Sequence, residues 1–184
     1  PEPEAAVAEP DAAPLPPGVQ AVWNLDEAYH ETTPTRERIC LNGLWQWQPA
    51  ETTPADVPKG GWGYFKVPGC WPGITDYLQK DCQTVFAHPQ WSQTQLRNVG
   101  TAWYQRQITL PSQWQGRRIA LEVEYLHSFA SVFVDGKRAG DLRFPGGELE
   151  LVDVVYLVKG KLTQRLATLR AGAELDVWGA LGNG

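Results

Sequence analysis

The 184-residue sequence has no methionine, only three cysteines, and no apolar run approaching the roughly 20 residues that cross a bilayer as a helix. No charged-then-apolar leader opens it, so neither a signal segment nor a helical membrane anchor is read from these residues, and the chain is expected to be soluble. Basic charge is also short. Sixteen Lys and Arg against 21 Asp and Glu give a formal net charge of -5, which disfavours a nucleic-acid partner, because phosphate binding needs a basic patch. The odd cysteine count permits at most one internal disulfide. Cys70 with Cys82 is the pair to test, and three free thiols is the simpler reading, since free cysteine behaves as a small apolar residue. Cys40, Cys70 and Cys82 lack the spacing of a zinc site, and His30, His88 and His127 are too scattered for a metal centre or a nucleophile relay, so no cofactor is expected.

What is present is enough apolar and aromatic material, 42% and 11% of residues, for one domain with a sizeable core. Residues 1–20 are Pro, Ala and Glu with almost no large apolar group. They cannot bury enough surface to offset chain entropy and are expected to be a disordered lead, with an extended arm packed on the domain as the alternative. The Pro1 start and the missing methionine read as a processed or excised piece of a longer product, and the Pro/Ala-rich opening leans towards an exported one, secreted or periplasmic.

The clearest pattern runs from Gly100 to Gly140. Ile119, Leu121, Val123 and Tyr125 alternate with Ala120, Glu122 and Glu124, which on a pleated strand puts apolar groups on one face and carboxylates on the other. Ala130, Val132 and Val134 repeat the alternation and run into Asp135-Gly136, a pair that favours a tight hairpin, with Lys137 starting the return strand. Earlier, Asn42-Gly43 precedes the strand-like Leu44, Trp45, Gln46, Trp47 and Gln48. Residues 49–100 then form a stretch of Gly, Pro and aromatics too long for a plain hairpin loop, of the kind that carries function or packs as a cover. Around Leu162, Leu166 and Leu169 a helical stripe and strands are equally compatible with the pattern.

Three motifs in order, LNGLWQW at 41–47, VPGCW at 67–71, and the run from AWYQRQITLP to SFASVFVDGK, resemble the amino-terminal domain of family 2 glycoside hydrolases, the group of β-galactosidases, β-glucuronidases and β-mannosidases. The matching residues are Leu41, Asn42, Gly43 and Trp45; Val67, Pro68, Gly69 and Trp71; Trp103, Tyr104, Arg106 and Pro111; and Ser128, Ala130, Val132, Val134, Gly136 and Lys137. Asp135 replaces the usual Asn and supports the same turn, whereas Tyr125 stands where Gly is common. The resemblance implies an all-β jelly-roll β-sandwich of the galactose-binding-domain-like type over residues 21–184, standing before an immunoglobulin-like domain and a catalytic barrel. In that family both catalytic glutamates belong to the barrel. A barrel needs about 250 residues, so neither is carried over and this chain alone is not expected to be an enzyme.

Candidates for ligand contact lie in the aromatic loops. Sugars stack C–H faces on Trp and Tyr and use carboxylates and His for hydroxyls, so Trp62, Tyr64, Trp71, Asp81, His88 and Trp91 are the candidate carbohydrate contacts. Against this, Trp45, Trp47 and Trp103 sit in strand patterns and read as packing. Glu122, Glu124, Glu148 and Glu150 read as solvated strand carboxylates rather than a glycosidase pair, and Arg106 as a structural guanidinium with bidentate partners. The expected function is a non-catalytic, sugar-binding-type domain supporting a hydrolase barrel, with carbohydrate and the other domains of a longer polypeptide as partners. A stand-alone carbohydrate-binding module or lectin is the alternative, and a ligand-free adhesion or assembly domain the third reading.

Overall fold

The computed structural model describes residues 11–50, 56–69, 85–126, 129–152 and 174–179, with 150–152 and 174–179 as backbone. Its strands in chain order are β1 (Asp11–Ala12), β2 (His30–Thr32), β3 (Glu37–Ile39), β4 (Gly43–Pro49), β5 (Gly60–Val67), β6 (Val85–Phe86), β7 (Ala102–Gln107), β8 (Ile119–Val123), β9 (Phe129–Val134), β10 (Lys137–Arg143), β11 (Gly147–Val152) and β12 (Glu174–Gly179). Eight of them form one large sheet in the order β1-β5-β4-β7-β12-β9-β10, with β6 also on β5. The β8–β11 ribbon forms the opposing layer. Leu121 is buried in the same cluster as Trp45, Trp47, Phe65, Tyr104, Val132 and Val134, and Ile119, Val123 and Leu149 pack against that cluster. The chain is therefore an all-β jelly-roll sandwich.

Local alternation sets which residues point inward. Leu121 and Val132 are both buried, and Asp135 and Gly136 adopt φ of 49° and 70°, the left-handed pair that closes the β9–β10 hairpin. Sheet neighbours follow a different rule. The three strands that are consecutive in sequence, β7, β8 and β9, are not adjacent: β12 inserts between β7 and β9, and β8 crosses to the other layer. A second departure is Tyr125. Its alternation with Ile119 assigns it to the core side, yet β8 ends at Val123 and Tyr125 is 58% exposed, edge-to-face with Phe144. Fully buried Leu126 takes the inward place, its N–H donating to the Pro145 carbonyl.

The expected disordered lead is corrected where it is described. Asp11–Ala12 pairs in parallel with β5, the Ala13 N–H donates to the Trp62 carbonyl at 2.6 Å, and Ala13 is buried. This stretch is the packed arm, because a free edge of β5 offers backbone groups that an extended, Pro-stiffened segment can pair without a large apolar side chain. Residues 1–10, the 153–173 stretch left open between helix and strand, and Cys70 and Cys82 lie outside the described residues.

Arg106 on β7 is a buried cation, and its partners are carbonyls rather than carboxylates. One guanidinium nitrogen donates to Leu41 O at 2.6 Å and Asn42 O at 2.9 Å, and the other to Leu44 O at 2.8 Å, while the group lies 5.4 Å from the Trp45 ring centroid. Gly43 (φ 132°) makes this approach possible: a Cβ there would sit 3.0 Å from the guanidinium. Desolvation lowers the Arg106 pKa to about 10, with Cys40 acting in the opposite direction. The group is thus charged at neutral pH, and because its folded pKa is depressed, the cost of burying the charge is fully present at neutral pH and fades only above about pH 10. Arg106→Lys, which offers one ammonium in place of a planar fork, is expected to lower stability by about 2–4 kcal/mol in urea unfolding monitored by Trp fluorescence.

Candidate functional site

The aromatic loop region is built from β5, the 3₁₀ turn at Pro89–Trp91 and the β1 arm. In β5, a Cβ at Gly61 would meet the Gln90 amide oxygen at 2.6 Å, and Gly63 leaves a groove that a flat ring fills. Trp91 lies there, its Nε1–H donating to Gly61 O at 2.9 Å and its ring meeting Trp47 edge-to-face at 5.2 Å. A Cβ at Gly63 would come within 2.3 Å of both the Phe86 carbonyl and the Trp91 ring, so glycine at 63 is a packing requirement. His88 caps the turn. Its Nδ1 accepts the Gln90 N–H at 3.2 Å, which leaves the ring proton on Nε2, 3.3 Å from the Asp11 carboxylate. The buried imidazole therefore ties the turn to the arm.

These positions correct three of the expected carbohydrate contacts. Trp62 is fully buried, Trp91 is 8% exposed with its ring inside the aromatic cluster, and His88 is 7% exposed with both ring nitrogens engaged, so none presents a face or an atom on which a sugar can rest. The physical reason is that the loop folds back to cover the end of the sandwich, and large aromatics are what seal it. Trp71 and Asp81 lie outside the described residues. Tyr64 remains half-buried on the opposite face of β5.

That opposite face holds residues the sequence reading passed over. Trp45, Trp47, Phe65, Tyr104, Val132 and Val134 point into the core, so their strand neighbours point away. The strand registers place Tyr64, Gln46, Gln105, Asp176, Phe133 and Arg138 in one row across β5, β4, β7, β12, β9 and β10. Tyr64, Gln46 and Phe133 are half-buried and Gln105 is buried. The signal that would have found this row is the polar half of the alternation, Gln46 between Trp45 and Trp47 and Gln105 between Tyr104 and Arg106.

Chemically, neither layer offers a catalytic pair among the described residues. Glu122 and Glu148 face each other across the ribbon, both exposed, and Glu122 is 3.2 Å from Arg38. Among the described residues no three His, Cys, Asp or Glu side chains are grouped to hold a metal.

No protein-family model matches the chain. The β-glucuronidase of Felis catus is 31% identical over 136 residues, covering 71% of this chain and 20% of the relative. That of Canis lupus familiaris is 32% identical over 152 residues, covering 77% and 22%. The solved β-glucuronidase of Faecalibacterium prausnitzii has the same fold, with a TM-score of 0.54 at 22% identity over 82% of this chain and 22% of that one. The chain thus spans about a fifth of the length of the curated relatives it matches.

Trp91→Ala is expected to behave as a core deletion, lowering stability by about 3–5 kcal/mol in urea unfolding. Gly63→Ala, which drives a methyl into the same ring, is expected to cost about 1–3 kcal/mol.

Proposed function

From homology to β-glucuronidases of glycoside hydrolase family 2 over about a fifth of their length, we propose that this chain is a non-catalytic jelly-roll domain that supports the barrel of a β-glucuronidase-like hydrolase. The observation that carries the reading is the partial match: the relatives are enzymes, and what they share with this chain is one sandwich rather than a whole catalytic unit. The inward-facing surface is sealed by aromatics, and the exposed carboxylates stand on an open ribbon, so the reaction's acid and nucleophile would come from the barrel. The loops at 58–98, braced by His88 and Trp91, would border the substrate pocket, and the parent enzyme would act outside the cytoplasm.

A second reading, a self-sufficient carbohydrate-binding module, is favoured by half-buried Tyr64 and Gln46, cross-strand partners on the outer sheet face. The two separate on activity and gene context. The purified chain is expected to show no turnover of chromogenic β-glucuronides or β-galactosides, and its coding sequence to continue into an immunoglobulin-like segment and a (β/α)₈ barrel. Steady hydrolysis by this chain alone would overturn the proposal.

A further inference from the structure

We propose that the corner of the sandwich carrying Tyr125 and Phe144 is the docking surface for the domain that follows this one in the same polypeptide, a step that rests on reading the chain as one domain of a longer hydrolase.

Four large apolar side chains among the described residues are left in water, Val22, Tyr29, Tyr125 and Phe144. Of these, Tyr125 and Phe144 meet edge-to-face with centroids 6.1 Å apart, and each is 58% exposed. Single apolar residues on a surface need no explanation, whereas two adjoining rings held in water do. A third ring and a cation stand next to them. Phe129 pairs with Arg143, whose guanidinium lies 5.6 Å from the Phe129 ring centroid. Aromatic and Arg side chains are the types enriched where proteins touch.

The local backbone holds both rings outward. β8 ends at Val123, and the chain then buries Leu126, whose N–H donates to Pro145 O at 2.7 Å, while the Gly146 N–H donates to Arg143 O at 2.9 Å. A Cβ at Gly146, where φ is 134°, would come within 2.3 Å of Val123 O, so the 143–146 turn is seated on the end of β8. Rings displayed by two clasped turns lose little further freedom on docking.

The strand registers show what lies nearby. β12 ends at Gly179, which pairs with Ala130 on β9, and Ala130 pairs in turn with Leu142 on β10, one residue from the Phe129–Arg143 pair. The last strand thus leaves the large sheet at the end that carries Phe144, two strand steps or about 10 Å from β10. A domain joined after β12 is delivered to the aromatic corner.

Area separates a tethered occupant from a free one. Two rings at 58% exposure offer roughly 170–290 Å², well short of the ~800 Å² per partner that separate molecules bury in a stable complex. A tethered domain needs less, because a short linker holds it at an effective concentration of about millimolar. The following domain is therefore the occupant that fits, with an apolar patch for the rings and a carboxylate near Arg143.

The test is hydroxyl-radical footprinting, read by mass spectrometry, of the 184-residue chain and of the full polypeptide that its gene encodes. Tyr125 and Phe144 are expected to oxidise about fivefold or more slowly in the full polypeptide. Tyr29, 73% exposed and bonded through its carbonyl to the Cys40 N–H near the start of β4, at the opposite end of the sheet, is expected to keep its rate. Tyr125→Ser combined with Phe144→Ser is expected to lower the urea midpoint of the full polypeptide more than that of the 184-residue chain. Equal oxidation of both rings in the two forms, or equal midpoint shifts, overturns the docking surface and leaves the hydrolase-domain reading standing. Oxidation that slows as the 184-residue chain is concentrated marks a second copy as the occupant and overturns it too. A gene that stops at residue 184 overturns both.

Discussion

A single buried guanidinium holds the middle of this sandwich together. Arg106 gathers the carbonyls of Leu41, Asn42 and Leu44 from the segment that enters β4, and so fixes where that strand begins relative to β7. A cation out of water is unfavourable until hydrogen bonds are supplied, and the two terminal nitrogens make three charge-assisted ones here beside the Trp45 ring, while the buried Nε has no partner among the described residues. The Leu41 carbonyl also accepts from the Trp45 indole N–H at 2.8 Å, so the same corner of β4 is held twice. Gly43 is part of the arrangement, since a side chain there would collide with the guanidinium.

Around that clamp the core is aromatic rather than aliphatic. Trp47 touches Phe65, Trp91 and Tyr104 with centroid separations of 5.6, 5.2 and 6.3 Å, two of them edge-to-face, so the rings interlock across β4, β5, β7 and the 3₁₀ turn. Interlocking rings tolerate little change in volume, which explains glycine at 63, whereas Gly61 is set by its positive φ of 79° and the Gln90 side chain beside it. It also explains why the turn at 89–91 is pinned by His88 to the arm at Asp11: Trp91 must be delivered at one depth and one angle.

Both faces of the large sheet bury side chains. The inner face is dry and committed to packing against the β8–β11 ribbon. The outer face carries Gln46, Gln105 and Phe133 in register, and Trp62, Trp103, Gln105 and Ser131 are buried on it. Homology over about a fifth of the length of β-glucuronidases fits a scaffold of this kind.

Period-two alternation made the strands legible from residues alone: Leu121 and Val132 as core, the Asp135-Gly136 hairpin, and Arg106 as a structural cation with several partners. The order of motifs along the chain carried the fold class. Neighbour relations were not legible, because alternation says which face a side chain occupies and nothing about which strand lies beside it. The insertion of β12 between β7 and β9, the crossing of β8, and the β1 arm on β5 were decided by tertiary pairing. The same limit misplaced Trp62, His88 and Trp91. An aromatic in a Gly-rich loop has the same sequence signature whether it lies on solvent or seals a core. Tertiary pairing put them inside, with Trp47 and Gly61 against Trp91, Asp11 against His88 and the β1 arm beside Trp62, and only the register across β5, β4, β7 and β9 brought Tyr64, Gln46, Gln105 and Phe133 into one line.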